Sequence, residues 1–286
     1  MSHNVLTAIS NLVAFGNNDL KSYASTYLIR INAVGEQLEF YMKDALANTF
    51  KLPINKKEEI YDGVFSHFGT QNHPPDMIVK NSDAFEVKKI ENPNSTLHLN
   101  SSPPKNKLRV SDTRITDKCR NCDGASWKEK DLFYAIGHTK EKKIKYLFLI
   151  HGECYAADHE FYDRIHSPIK KNVNEVLDSL GLEKGKGVEL GKVKRADPLG
   201  ITELKIRGMW QIQNPLKVYK EHCKIVDKTK FHLFALMRKE KYDSFPKEDI
   251  KLLESNSKLT VKDIRIKDPS NPAKLVNAKL IIHIQK

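Results

Sequence analysis

A chain of 286 residues suits one large domain or two small ones, and its 40% apolar and 29% charged content is that of a globular protein able to bury a core. The formal charge of +12 is less ordinary; a basic surplus of that size points to a polyanion, nucleic acid before an anionic membrane. No run of about 18 apolar residues is present to span a bilayer, Met1-Ser2-His3-Asn4 lacks the basic-then-apolar pattern of a secretory leader, and four irregularly spaced cysteines make no disulfide framework, so a reduced cytoplasm is the expected location.

Val5, Leu6, Ile9, Leu12 and Val13 recur at helical spacing, and Gly16-Asn17-Asn18-Asp19 breaks the pattern. A further helix is expected over Asp19 to Ile31 and another from about Ala33 to Asn48. In the latter, Leu38, Met42, Ala45 and Thr49 form one stripe. Glu39 lies roughly 60° from the stripe's centre at 100° per residue, while Glu36 points further toward solvent. A carboxylate at the margin of a buried face can reach a metal site; a solvated acid is the plainer alternative. Leu52 to Tyr61, with the charge cluster Lys56-Lys57-Glu58-Glu59, reads as a connector.

The stretch Asn72 to Ile90 carries the most chemistry. Met77–Val79 and Ala84–Lys88 read as two short strands around a Lys80-Asn81-Ser82-Asp83 turn. Alternation puts Phe85 and Val87 on one side and Glu86 and Lys88 on the other, and the hairpin brings Asp76 back toward both. Two carboxylates 4 Å apart repel by roughly 4 kcal/mol at an effective dielectric of 20. A divalent cation removes that repulsion, and Mg²⁺ is commonly held by one or two carboxylates plus waters and phosphate oxygens. A lysine beside it can orient a water and offset phosphate charge. The chemistry this grouping suits is phosphodiester hydrolysis; an ordinary hairpin with a solvated charged face is the rival. His67 and His73 flank the hairpin and are poor Mg²⁺ ligands, since that ion prefers oxygen.

Residues 91 to 110 read as a polar loop in which Asn100, Ser102 and Lys105 are of the kinds that contact phosphates. Cys119-Arg120-Asn121-Cys122 is half of a zinc site with no second pair. Buried strands are expected at Asp131–Gly137 and Lys145–Gly152, with a lysine-rich turn between them. Two helices follow, Asp158–Ile165 and Pro168–Leu180, the second capped by Ser167 and ended by Gly181. After a glycine-lysine linker to Arg195, too sparse for a phosphate loop, Thr202, Leu204 and Ile206 alternate with Glu203, Lys205 and Arg207 as a strand with a polar face. Arg207 is a candidate base reader, arginine being the commonest partner of guanine O6 and N7, or a surface ion-pair residue. From Lys217 on, strands are expected at Phe231–Met237, Leu259–Ile266 and Leu280–Ile284, with a helix over Pro246–Glu254. This basic region is either a subdomain or an extension of the main sheet.

Pro75-Asp76 with Glu86-Val87-Lys88 resembles the PD-(D/E)XK nuclease signature. The wider pattern resembles the NgoPII family of type II restriction endonucleases. It comprises Val34-Gly35-Glu36 with Leu38-Glu39, Gln71-Asn72 with Pro74-Pro75-Asp76, Glu86-Val87-Lys88-Lys89-Ile90 and Leu99-Asn100-Ser101-Ser102 with Pro104-Lys105. It continues through Cys119-Arg120, Lys130-Asp131, Asp197-Pro198-Leu199-Gly200-Ile201-Thr202 and Arg207-Gly208-Met209-Trp210. These blocks span about residues 30 to 215. The resemblance implies an α/β fold with a PD-(D/E)XK mixed β-sheet core flanked by helices over 1–215, and a C-terminal α+β extension over 216–286. It implies Mg²⁺-dependent cleavage of double-stranded DNA at GGCC, as one half of a restriction-modification system with a cognate DNA methyltransferase. Asp76, Glu86 and the Val87 carbonyl would hold the metal, Lys88 and Glu39 would complete the catalytic set, and a palindromic target implies a two-fold homodimer. A structure-selective or repair nuclease on the same fold and a non-catalytic DNA-binding protein are the alternatives.

Overall fold

The computed structural model describes residues 3–21, 34–70, 73–226 and 228–286. Helix α1 (Val5–Phe15) starts where Asn4 accepts from the Leu6 and Thr7 amides while the Thr7 hydroxyl receives the Asn4 amide, and it stops at Gly16, whose φ of 65° suits glycine. The helix expected over Asp19 to Ile31 falls largely on residues 22–33, outside the described residues. Helix α2 (Val34–Ala47) buries Leu38, Met42 and Ala45 against the sheet. It lies so close that a β-carbon on Gly137 would sit 2.7 Å from Leu38 Cδ2.

The connector expected at Leu52 to Tyr61 is instead helix α3 (Ile54–Val64). The charge cluster hid its inward face. Lys57 Nζ reaches Asp44 Oδ2 at 2.5 Å and Tyr61 Oη donates to Asp44 Oδ1 at 2.7 Å, so a fully buried carboxylate on α2 holds α3 in place. The chain then forms an edge strand, β1 (Phe65–Thr70), followed by β2 (His73–Val79) and β3 (Ala84–Ile90). The polar loop expected over 91 to 110 contains two short strands, β4 (Leu97–Asn100) and β5 (Lys107–Arg109). Their partner strands, Glu129–Lys140 and Trp210–Ile212, lie 20 or more residues further along the chain, which local pattern cannot reveal.

After the short helix α4 (Asp117–Arg120), β6 (Glu129–Lys140) and β7 (Lys143–His151) make the long buried hairpin, turned by Glu141 and Lys142. Helix α5 (Gly152–Tyr155) leads into α6 (His159–Ser179), which is one helix and not two. Pro168 lies inside it; the proline is exposed, so the carbonyl it leaves without a donor faces water. Then come β8 (Gly191–Val193), β9 (Leu204–Ile206) and β10 (Trp210–Ile212), the turn α7 (Pro215–Val218), β11 (Phe231–Arg238), α8 (Lys239–Asp243), α9 (Lys247–Glu254), β12 (Thr260–Asp268) and β13 (Asn271–Gln285).

The main sheet runs β1-β2-β3-β6-β7-β11-β13-β12, with β5 on β6. It is mixed: β3 is parallel to β6 and β7 to β11, and the other neighbours are antiparallel. The C-terminal strands thus extend this sheet. Each face carries its own core. Met77, Phe85, Phe133 and Leu233 pack with α1 and α2, while Ile78, Tyr134, Phe148 and Phe234 pack beneath the loops of the other side. Residues 159–209 form an arm, in which α6 packs on the β8–β9 ribbon and Gly191 meets Val173 and Leu177.

Candidate active site

The β2–β3 ladder pairs Met77 with Phe85 and Ile78 with Ala84, and then ends. Pro74 and Pro75 have no amide hydrogen to continue it. Asp76 takes over: its Oδ2 accepts the Val87 amide at 2.6 Å, so the carboxylate sits in the opening between the strands. Glu86 and Lys88 emerge on the same side of β3, with Lys88 Nζ donating to Glu86 Oε1 at 2.6 Å. Phe85 and Val87, on the opposite face, are sealed in the core and fix the strand.

The charges are felt in the titration behaviour. Burial, then the Glu86 carboxylate, pushes Asp76 well above the usual carboxylate range, against the pull of Lys88 and the Val87 amide. Burial also acts against the Lys88 ammonium, but Glu86 and Asp76 outweigh it and raise the lysine. Glu39 on α2 is raised, first by burial, and feels Lys43, Lys88, Glu36 and Glu86. It therefore belongs to the same electrostatic group as Asp76, Glu86 and Lys88, although it is not among the residues that line the cleft described next.

Asp76, Glu86 and Lys88 lie in an open cleft of about 700 Å³ whose walls include Asn100, Ser102 and Arg207. The β4–β10 pairing builds this wall by joining Asn100 to Trp210, three residues beyond Arg207. Lys105 stands behind it. Its ammonium binds Asp112 at 2.8 Å and Ser102 Oγ at 2.7 Å, so it braces the serine. His73 lines the cleft and contacts Thr70 Oγ1 through Nδ1 at 3.0 Å, whereas the buried His67 Nε2 has no hydrogen-bond partner among the described residues.

Three residues of this region escaped the sequence reading. Lys43 sits one helical turn beyond Glu39, with its ammonium 4.5 Å from the Phe40 ring and 4.7 Å from Phe68. Arg114 lines the cleft with a buried Nε that has no hydrogen-bond partner among the described residues. Glu189 lies 3.7 Å from Arg207 Nη2, its side chain only 14% exposed against 56% for the arginine. Helical spacing from Glu39 was a signal for Lys43; the other two sit in segments without periodicity.

Among the described residues no group of three or more His, Cys, Asp or Glu could hold a metal ion. Cys119 and Cys122 are buried free thiols, and burial pushes Cys119 up to about 12. Two carboxylates facing an open cleft do fit Mg²⁺, which takes its remaining oxygens from water and substrate. Val87 occupies one oxygen of Asp76 and Lys88 one of Glu86.

A mixed sheet that turns two carboxylates and a lysine into an open cleft has the make-up of an endonuclease. Residues 3–267 match the family model described as NgoPII restriction endonuclease. The chain is 39% identical over 281 residues to the type II restriction enzyme NgoPII of Neisseria gonorrhoeae, covering 98% of this chain and 99% of that one. It belongs to the NgoPII restriction endonuclease family, and its part is that of the nuclease in a restriction system. No solved structure matches the chain, and no helix among the described residues is long and apolar enough to cross a membrane.

Proposed function

We propose that this protein is a PD-(D/E)XK nuclease that hydrolyses double-stranded DNA at a short GC-rich palindrome, GGCC by family resemblance, with Mg²⁺, leaving 5′-phosphate ends. The observation that carries the reading is the parting of β2 and β3, which sets Asp76 beside Glu86 and Lys88 at the open cleft. Asp76, Glu86 and the Val87 carbonyl would hold the metal. When bound, Mg²⁺ lowers the pKa of a water and offsets charge on the phosphate.

The chain's own groups do the rest. Lys88 orients the attacking water in line with the scissile bond, and Glu39 contributes to water activation or a second metal. Ser102, held by Lys105, and Asn100 position the backbone, a role suited to hydroxyl and amide groups. Arg207 reads a guanine, with Glu189 orienting the guanidinium. A carboxylate in a cleft for a polyanion repels phosphates and suits a base edge, where it accepts from cytosine N4. The active species is a homodimer, one chain per half-site, and a DNA methyltransferase protects the host sites.

Plasmid digestion with Mg²⁺ followed by sequencing of fragment ends tests this. Discrete bands with 5′-phosphates at one palindrome are the expected result. A smear, or cutting at branched structures only, would favour a repair nuclease, and affinity without nicking would favour a DNA-binding protein.

A further inference from the structure

A second hollow, of about 230 Å³, lies beside the cleft, between residues 103–114 and the start of α6. The two share Thr113 and Arg114 in their walls. A small recess lined by Glu86, Ser102, Pro103 and Lys105 adjoins both. The Lys and Arg side chains around the hollow are Lys105, Lys107, Arg109 and Arg114. Lys105 binds Asp112 at 2.8 Å, Lys107 binds Glu129 at 2.9 Å, and Arg109 donates to Asn106 Oδ1 at 3.1 Å.

Arg114 differs. Its side chain is 18% exposed, and Asp112 Oδ1, the carboxylate oxygen it approaches, stands 3.9 Å from Nη1. That oxygen already accepts the Arg114 amide at 2.9 Å, and Lys105 holds the other one. Among the described residues the guanidinium makes no hydrogen bond and no ion pair with Asp163 of α6, which also lines the hollow. A buried donor without an acceptor is costly, and a mobile surface arginine escapes the cost by turning to water. This loop is not mobile. Arg120 grips the Val110 and Asp112 carbonyls at 3.1 and 2.6 Å, and Ile115 is buried in the core.

We propose that this hollow is a subsite for a phosphate of the DNA strand flanking the cleavage point, and that Arg114 is its ligand. The strand supplies what the site lacks, oxygen acceptors that carry negative charge, and a planar guanidinium matches two phosphate oxygens at once. The place fits as well, since a backbone that meets Asp76 and Glu86 in the cleft runs on along the wall that Ser102 and Arg114 share. Charge separates this arginine from Arg207. Arg207 with Glu189 is a neutral pair suited to a base edge, whereas Lys105, Asp112 and Arg114 together leave one positive charge in excess, which suits a phosphate. Arg114 is thus a positioning residue. The inference rests on the proposed cleavage of duplex DNA and adds a contact to it.

The test is duplex binding by the full chain across a range of chloride concentrations, without Mg²⁺ so that cleavage plays no part. One duplex carries GGCC and the other has those base pairs replaced. Arg114→Ala should lower the slope of log K against log salt by about 1, the value for one lost phosphate contact. It should weaken both duplexes by the same factor, about tenfold at low salt, and leave their ratio as in wild type. Arg114→Lys should keep the slope and recover most of the affinity, because lysine holds a phosphate as a point charge. Lys262→Ala, exposed on β12 and five strands from β3, roughly 24 Å at the spacing of a sheet, should change nothing. If Arg114→Ala fails to fold, Arg114→Gln reads the same slope. An unchanged slope in the folded neutral variant, a loss confined to the GGCC duplex, or no rescue by lysine would each overturn the assignment. Wild type without affinity for either duplex would overturn the proposed DNA cleavage itself, and the subsite with it.

Discussion

The β2–β3 hairpin, proposed above to be catalytic, and the arm are held by opposite means. Met77 and Phe85 are fully buried, and Val87 nearly so. The hairpin's turn is gripped from behind by Lys241 on α8, which donates to Asp83 Oδ1 at 2.6 Å and reaches Asp131 Oδ2 at 2.9 Å. The arm's ion pairs, Lys184–Asp178, Lys192–Glu203 and Arg195–Glu183, have carboxylates 47–57% exposed, worth roughly 0–1 kcal/mol each. On the proposed reading the chemistry belongs to the buried, firmly held part, and base reading to the part with the more exposed ion pairs.

The sharpest way to separate the two regions is to remove the hairpin's charges. Asp76→Ala, Glu86→Ala and Lys88→Ala should each lower the cleavage rate on the order of 10³-fold while the melting temperature stays near that of wild type. A Lys88→Ala protein that cuts plasmid at the wild-type rate would remove the hairpin from the mechanism. Next in size is the grip on the turn. Lys241→Met leaves two carboxylates facing each other and should destabilise by about 3–5 kcal/mol in urea titrations. Arg195→Ala in the arm should change stability by less than about 0.5 kcal/mol. Equal losses would erase the contrast.

The same contrast explains what the sequence alone disclosed. The hairpin was legible because its information is local: alternating residues around a four-residue turn. The half-buried place of Glu39 at the margin of the Leu38-Met42-Ala45 stripe was legible because the helical period sets its direction. The strands β4 and β5 were not, since each exists only through a partner far along the chain. Helix α3 was hidden because its inward lysine, Lys57, looks solvated until Asp44 is placed beneath it. Pro168 was read as a helix start because proline favours first turns; a solvent-facing position tolerates it in mid-helix. Glu189 and Arg114 lie in irregular segments, where no period links a residue to the cleft it faces.

A smaller effect is expected where the arm meets the cleft. Arg207→Ala should cost about 1–3 kcal/mol of discrimination between the target and a site with one substituted base pair, measured as the ratio of cleavage rates. Glu189→Gln should lower the same ratio in the same direction, because the guanidinium loses its orienting charge. The salt dependence of DNA binding should stay as in wild type, since neither change removes a phosphate contact. If Glu189→Gln left discrimination intact and only weakened binding uniformly, the pair would be a surface ion pair and nothing more.

The smallest effect concerns pH, and its sign differs between two neighbours on the same lysine. Asp131 is held below the ordinary carboxylate range; burial opposes this, but the His151 hydrogen bond and Lys241 prevail. A depressed folded-state value means that its contribution is complete above the unfolded value, about 3.9, and is lost as pH falls below that. Asp83 is raised, because burial outweighs Lys241, so its ionised form opposes folding at neutral pH and that opposition is relieved on acidification. Comparing wild type with Asp131→Asn by thermal melting should therefore show a stability gap at pH 7 that closes below about pH 4. The Asp83→Asn comparison should shift in wild type's favour from neutral pH downward. In the arm, Asp197 is also lowered, by the Thr202 hydroxyl first, but it sits on an exposed loop that the core does not depend on. Asp197→Asn should leave the melting profile at every pH unchanged, and a pH-dependent gap there as large as that of Asp131 would mean that the arm is anchored as firmly as the hairpin.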